Sequence, residues 1–245
     1  MKYLKLSIIT AFILSGIIAC KKGTIASLNV SNDDAASILA GSMASNSYGV
    51  TNISSDISLN ALNSITTNLS CGLTKTDTII RKNSAGATAT YNYKLIYSNK
   101  LNCNTSNLPD NIISKLTYTG NYSNQKLSLT NSGSNYCTIA GLTPTATVHV
   151  VNGEYKSMGT FKLKADSTNR GSANVDIVVK NLTINKSTQV IAGGTATVIV
   201  TGTTVKKGDF TYNGTLTFNG NNMTTMSLNG TTYIINLATG DIVKK

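Results

Sequence analysis

From Leu73 onward, apolar and polar residues alternate with a period of two. Tyr91, Tyr93, Leu95 and Tyr97 share a face opposite Asn92, Lys94 and Ser98, and Phe161, Leu163 and Ala165 oppose Lys162, Lys164 and Asp166. Val175, Ile177 and Val179 alternate likewise, as do Ala196, Val198 and Val200. A period of two with one apolar face predicts antiparallel sheet with a dry side. The opening segment has a helical period instead. Ser31 and Asn32 precede Asp33 and Asp34, a capping residue followed by acids that suit the positive end of a helix dipole. With Ala35, Ala36, Ile38, Leu39, Met43 and Ala44 behind them, they predict a helix ending near Asn46. A second, weaker helix is predicted from about Ser54 to Ser64, with Ile57, Ala61 and Leu62 on one side.

Turn chemistry divides the β region. The runs Leu73 to Lys82 and Thr88 to Ser98 predict a hairpin around Asn83, Ser84, Ala85 and Gly86, and Asn152 with Gly153 predicts another between Ala146–Val151 and Glu154–Ala165. Asn229 and Gly230 form a two-residue turn that pairs Met226 with Tyr233 and keeps Leu228, Ile235 and Leu237 on one face. For the preceding strand, Phe210 to Phe218, a three-residue loop from Asn219 to Asn221 sets Gly214 opposite Met226 and Tyr212 opposite Leu228. That register keeps every large apolar side chain on one side, which a slip of one residue would not. Further turns are expected at Gly120, around Gly133 and at Gly202 to Gly208, and a bulge or bend at Gly193 and Gly194. The expected fold is mainly β: a strongly curved antiparallel sheet, half-barrel or sandwich, of roughly ten strands preceded by two short helices. No linker divides residues 31 to 245, which read as one domain.

The first twenty residues carry a different signal. Met1, Lys2, Tyr3, Leu4 and Lys5 make a basic start, Leu6 to Ile18 an apolar run too short to span a bilayer, and Ala19 stands directly before Cys20. Ile17, Ile18, Ala19 and Cys20 resemble the lipobox of bacterial lipoproteins. The resemblance implies that residues 1–19 are a signal peptide, that Cys20 receives acyl chains of the palmitate kind, and that residues 20–30 are a tether. Lys21 and Lys22 stand where an acidic residue would resemble an inner-membrane retention signal, so the expected location is the cell envelope, at the outer membrane. The anchor, two helices and curved sheet together resemble uncharacterised Gram-negative lipoproteins and, more distantly, the half-barrels of the LolA and LolB lipoprotein carriers.

Charge narrows the partners. The chain has 21 basic and 10 acidic residues, a net of +11; loss of the leader removes Lys2 and Lys5. Basic balance attracts anions, but the lysines are scattered, Arg81 and Arg170 are the arginines, and no basic run interleaves with aromatics as a nucleic-acid groove requires. No nucleic-acid partner is expected, and scattered lysines suit edge protection.

Candidate chemistry is sparse. With Cys20 acylated, Cys71, Cys103 and Cys137 remain. Cys71 and Cys103 flank the open end of the first hairpin and are the favoured disulfide in an oxidising envelope; the alternative is three buried thiols. One histidine and wide Cys spacing leave no metal site and imply no cofactor. His149, in the Asn152–Gly153 hairpin, would face Lys156 with Glu154 diagonal, a solvent-facing strand residue beside an ammonium that opposes a general base. Glu154 has no acidic neighbour in sequence to form an acid/base pair. The tyrosines could line a groove for sugars or an acyl chain, though cross-strand packing accounts for them better. Asp77-Thr78-Ile79 and Asp166-Ser167-Thr168 resemble a short O-glycosylation acceptor of some gut-type Gram-negative bacteria, making Thr78 and Ser167 candidate sites. The expected function is therefore non-catalytic: an outer-membrane-anchored envelope scaffold, or a binder of a lipid, peptidoglycan or other envelope ligand. The alternative is a surface-exposed adhesin or glycan-binding module.

Overall fold

Ser31 caps the first helix, α1 (Asn32–Met43), through a reciprocal capping box: its Oγ accepts from Asp34 N (3.1 Å) while its own N–H donates to Asp34 Oδ2 (3.3 Å). This is a computed structural model, described for residues 30–83, 87, 89–164 and 170–245. The leader, Cys20 with its lipobox, the tether up to residue 29, the turn residues 84–86, Thr88 and the segment 165–169 with Ser167 lie outside the described residues. α1 is buried almost all round, at Ala35, Ala36, Ile38, Leu39, Ala40, Gly41 and Met43, as befits a helix surrounded by other elements rather than lying on a surface. A 3₁₀ turn (Ser45–Ser47) leads into α2 (Val50–Thr66), longer at both ends than the apolar spacing indicates. Gly49 makes the tight corner possible, because a Cβ there would strike the backbone of Ser42 and Met43. Thr51 Oγ1 then donates to Met43 O at 2.7 Å across the corner.

Eleven strands follow in one antiparallel sheet whose spatial order is the sequence order. They are β1 (Thr74–Lys82), β2 (Thr90–Cys103), β3 (Pro109–Ser123), β4 (Leu127–Ala140), β5 (Val148–Leu163), β6 (Arg170–Asn185), β7 (Ile191–Thr204), β8 (Gly208–Gly220), β9 (Met223–Leu228), β10 (Thr231–Asn236) and β11 (Ile242–Lys244). The sheet stays open, with β1 and β11 at its margins, and curls around the helices. α1 touches strands from β4 to β11 and α2 strands from β2 to β7. Lys126, before β4, reaches Asp241, before β11, at 2.9 Å, although seven strands separate those two turns in the sheet.

Aromatic residues facing glycines supply part of this curvature. Tyr93 pairs with Gly120, Tyr118 with Gly133 and Phe210 with Gly202, and in each case a Cβ on the glycine would enter the opposing ring. A ring that lies flat over a glycine lets the strands bend inward at that point. Register shifts at Asn102/Cys103, Val151/Gly153, Lys180/Thr183 and Phe218/Gly220 add local twist.

Several expectations are corrected. The expected mainly-β fold forms, two helices followed by a strongly curved antiparallel sheet, open in the half-barrel manner and with eleven strands among the described residues where roughly ten were expected; the corrections are local. Gly120 and Gly133 lie inside β3 and β4, not in turns, because their missing side chains make room for rings. Asn152 and Gly153 do not turn the chain: β5 runs straight through them, and neither has the positive φ of a two-residue hairpin turn. The irregularity there belongs to β6, where Lys180 and Asn181, the latter at φ 49°, oppose the single residue Asn152, whose Oδ1 accepts from Asn181 N at 2.9 Å. Inward parity is unbroken through His149, Val151, Gly153 and Tyr155, which a hairpin would have reversed.

Between β8 and β9 the expected face is right and the pairing is displaced by two residues. Leu216 faces Met226, and Gly214 faces Leu228. A bulge near Asn219 restores parity, and the two-residue turn falls on Asn221 and Asn222, with φ of 51° and 57°. The Asn229–Gly230 turn, with φ of 45° and 81°, pairs Met226 with Tyr233 as the spacing requires. Gly193 and Gly194 sit at the β6–β7 irregularity, Gly194 at φ 126°.

Candidate functional site

The concave face, where a ligand groove was conceivable, is filled. Of the nine tyrosines considered as its lining, Tyr93, Tyr97, Tyr122, Tyr155, Tyr212 and Tyr233 are buried among the core side chains, joined by Tyr48, while Tyr136 points out and is exposed. α2 meets this face largely through polar groups. Ser54 Oγ lies 3.0 Å from Tyr155 Oη, and Ser58 Oγ lies 2.8 Å from His149 Nδ1. Asp56 accepts from Tyr97 Oη (3.0 Å) and Tyr48 Oη at one oxygen and from Arg81 of β1 (3.0 Å) at the other, while Arg81 Nε donates to Tyr48 Oη (2.9 Å). Burial, reinforced by the Asp56 carboxylate, pushes the Tyr48 and Tyr97 phenols far above their ordinary range, so both remain donors. This set of partners holds α2 against β1 and β2.

His149 is the second correction of chemical consequence. With no hairpin at Asn152, its neighbour across β6 is Ile184, and it points into the core, 1% exposed, not towards Lys156. Desolvation, with a smaller contribution from Lys186, lowers its pKa to about 4. The folded pKa lies below the unfolded value near 6.5, so the neutral ring is favoured and stability is full above that value. It falls as pH drops through the window down to about 4, withdrawing on the order of 2–3 kcal/mol at about 1.4 kcal/mol per unit. Thermal unfolding between pH 7 and 4 is expected to show this loss, and His149→Gln to flatten it; an equally steep profile in the variant would assign the loss to other groups.

Cys71, just after α2, and Cys103, at the end of β2, form a disulfide with Cα atoms 5.6 Å apart. Cys137 is free and buried, its thiol pushed up to about 12 by desolvation, which suppresses the reactive thiolate. Thr78 lies on the exposed margin strand β1, its N–H bonded to Asp77 Oδ1 at 2.8 Å. Glu154 does gain an acidic neighbour, from the next strand. Lys156 Nζ stands 2.8 Å from Glu154 Oε1 and 3.9 Å from Asp176 Oδ2, and desolvation together with Glu154 raises the Asp176 carboxyl. The ammonium between them makes this a counter-ion cluster on the outer face. Among the described residues no three His, Cys, Asp or Glu groups are placed to hold a metal ion, and no helix is long and apolar enough to cross a membrane.

What remains open to a ligand is outward. Two grooves run over the convex face: one of ≈ 240 Å³ beside Met158, Asp176 and Ile199, and one of ≈ 420 Å³ beside Val178, Lys180 and Thr217. A third, of ≈ 400 Å³, lies where β5, β6 and β7 meet their turns, between Leu129, Thr160, Phe161, Lys162, Arg170 and Val205. Lys162 and Arg170 face each other in register across it. Two cations over an apolar floor can hold an amphiphilic anion. Only the pairing of β5 with β6 makes this site, since seven residues lie between the two cations in sequence.

The chain matches no family model, no curated protein and no solved structure. Reading its role therefore rests on its own residues.

Proposed function

We propose that the protein is a non-catalytic lipoprotein of the Gram-negative cell envelope, held at the outer membrane by acyl chains on Cys20, whose β body acts as a scaffold and binds an envelope ligand from its outer surface. The observation that carries this reading is the lipobox-like segment ending at Cys20, ten residues before Val30, the first described residue. The filled concave face directs ligand binding outward, and Ser54, Asp56 and Ser58 of α2 are engaged with Tyr155, Tyr48, Tyr97 and His149. Two or more acyl chains, each contributing about 0.8 kcal/mol per buried methylene, make such attachment stable. A glycan-binding role would draw on Tyr136, 52% exposed with Lys115 Nζ 5.8 Å from its ring centre; one ring is a smaller stacking platform than the grooves.

Mass spectrometry of the amino-terminal peptide from native membranes is expected to show an acylated Cys20 as first residue, and Cys20→Ala to leave the protein unprocessed. Native protein recovered soluble with a free thiol at Cys20, or with residues 1–19 attached, overturns the proposal.

A further inference from the structure

Successive antiparallel strands place their turns on alternate edges of the sheet, so the β3–β4, β5–β6, β7–β8 and β9–β10 turns share one edge and the β2–β3, β4–β5, β6–β7 and β8–β9 turns the other. The two edges differ in charge. In the second set, which the β10–β11 turn completes, the turn residues 104–108, 141–147, 186–190, 221–222 and 237–241 contain two ionisable groups: Lys186, whose ammonium donates to Thr143 O at 2.8 Å, and Asp241, which is bonded to Lys126. The first set carries Lys126, Lys162, Lys164, Arg170, Lys206 and Lys207. They are contiguous: Lys164 N bonds Lys126 O (2.8 Å), Lys162 pairs with Arg170, and Val205 N bonds Arg170 O (3.2 Å). Lys126 is neutralised by Asp241, and Asp209 bonds Thr203. Among the described residues, no carboxylate lies in ion-pair reach of the other five cations; Asp166 lies outside the described residues. Val205, 72% exposed, projects from the β7–β8 turn beside Lys206 and Lys207.

The described chain also begins on the cationic side. Asn32 Nδ2 donates to Thr231 Oγ1 (2.7 Å), at the β9–β10 turn, and Val30 O accepts from Tyr212 Oη. From Cys20 to Val30 the tether spans at most about 35 Å when fully extended. An acylated Cys20 therefore holds this edge closer to the bilayer than the opposite one.

We infer that the edge bearing Lys162, Lys164, Arg170, Lys206 and Lys207 docks on anionic lipid head groups of the membrane that holds the anchor, with a lipid phosphate between Lys162 and Arg170 and Val205 against the upper acyl region. The inference rests on the lipoprotein reading. Each cation near an anionic surface raises affinity about fivefold, an effect confined to roughly a Debye length. The β body is thereby oriented as well as tethered, with its disulfide-bearing edge and the β2–β3 and β4–β5 turns directed away from the membrane.

The test reconstitutes the purified mature protein into vesicles of phosphatidylethanolamine with or without phosphatidylglycerol and maps lysine reactivity towards an amine reagent. In phosphatidylglycerol vesicles, Lys162, Lys164, Lys206 and Lys207 should label at least about threefold less than in detergent, with Lys75, Lys100 and Lys115 unchanged; salt near 1 M, where the Debye length is about 3 Å, should restore labelling. The variant Lys162→Glu/Arg170→Glu/Lys206→Glu/Lys207→Glu should lose the protection of Lys164. Uniform labelling of a vesicle-bound protein overturns the inference and leaves the anchor standing. Flotation separates the two claims. A chain starting at Lys21, which carries no acyl group, should float better at low salt with vesicles containing phosphatidylglycerol than with phosphatidylethanolamine alone. Equal flotation overturns the docking edge, while the anchor stands or falls on the acylation of native Cys20.

Discussion

Asp56→Ala is expected to lower unfolding stability by about 3–5 kcal/mol, because it leaves Arg81 and two tyrosine hydroxyls at the α2–sheet contact without their shared acceptor. The carboxylate side chain is 10% exposed and the guanidinium 40%; losing the acid therefore costs more than losing the base, whose removal leaves Tyr48 and Tyr97 as donors to Asp56. At roughly 2–4 °C per kcal/mol for a domain of this size, the midpoint should fall by about 6–20 °C. The double variant Asp56→Ala/Arg81→Ala should recover part of the loss, since it removes the stranded charge. Calorimetry of the four proteins in the cycle checks this, and a single variant within about 1 kcal/mol of the parent would show that water reaches the site freely.

Removing the Cys71–Cys103 disulfide should cost about 3–4 kcal/mol, the entropy of a loop closed over 32 residues. The bridge ties the end of α2 to the end of β2, so its loss frees the margin strand β1 and the helix that Arg81 holds. Cys71→Ser/Cys103→Ser should show a lower denaturant midpoint, and β1 amides should exchange faster than those of β5 and β6. A variant with unchanged midpoint would mean that the unfolded chain keeps those ends together without the bridge. A thiol-alkylating reagent should leave Cys137 unmodified until the protein unfolds, because its thiol is buried.

The alternating faces of β2, β5, β6 and β7, the capping box of α1 and the Asn229–Gly230 turn were legible because each depends on residues at most a few positions apart. Asn152–Gly153 misled for the same reason: a dipeptide suited to a turn can also sit opposite a bulge, and the choice lies with Asn181 on another strand. The unbroken parity from His149 to Tyr155 was the available signal. Gly120 and Gly133 likewise read as turns until their partners, Tyr93 and Tyr118, are known.

By itself, the sequence determined the class of fold, the helices-before-sheet order, the inward faces and the lipobox-like start, since short-range periodicity and capping act on neighbours along the chain. Tertiary structure alone decided that His149 is buried against Ser58, that Asp56 gathers Arg81, Tyr48 and Tyr97, that Glu154 and Asp176 share Lys156, and that Lys162, Lys164, Arg170, Lys206 and Lys207, with no ion-pair partner among the described residues, line one edge. Those groups meet only after eleven strands have settled their registers, and a register is fixed by packing across the sheet, where bulges and ring-over-glycine contacts outweigh the local preference of any dipeptide.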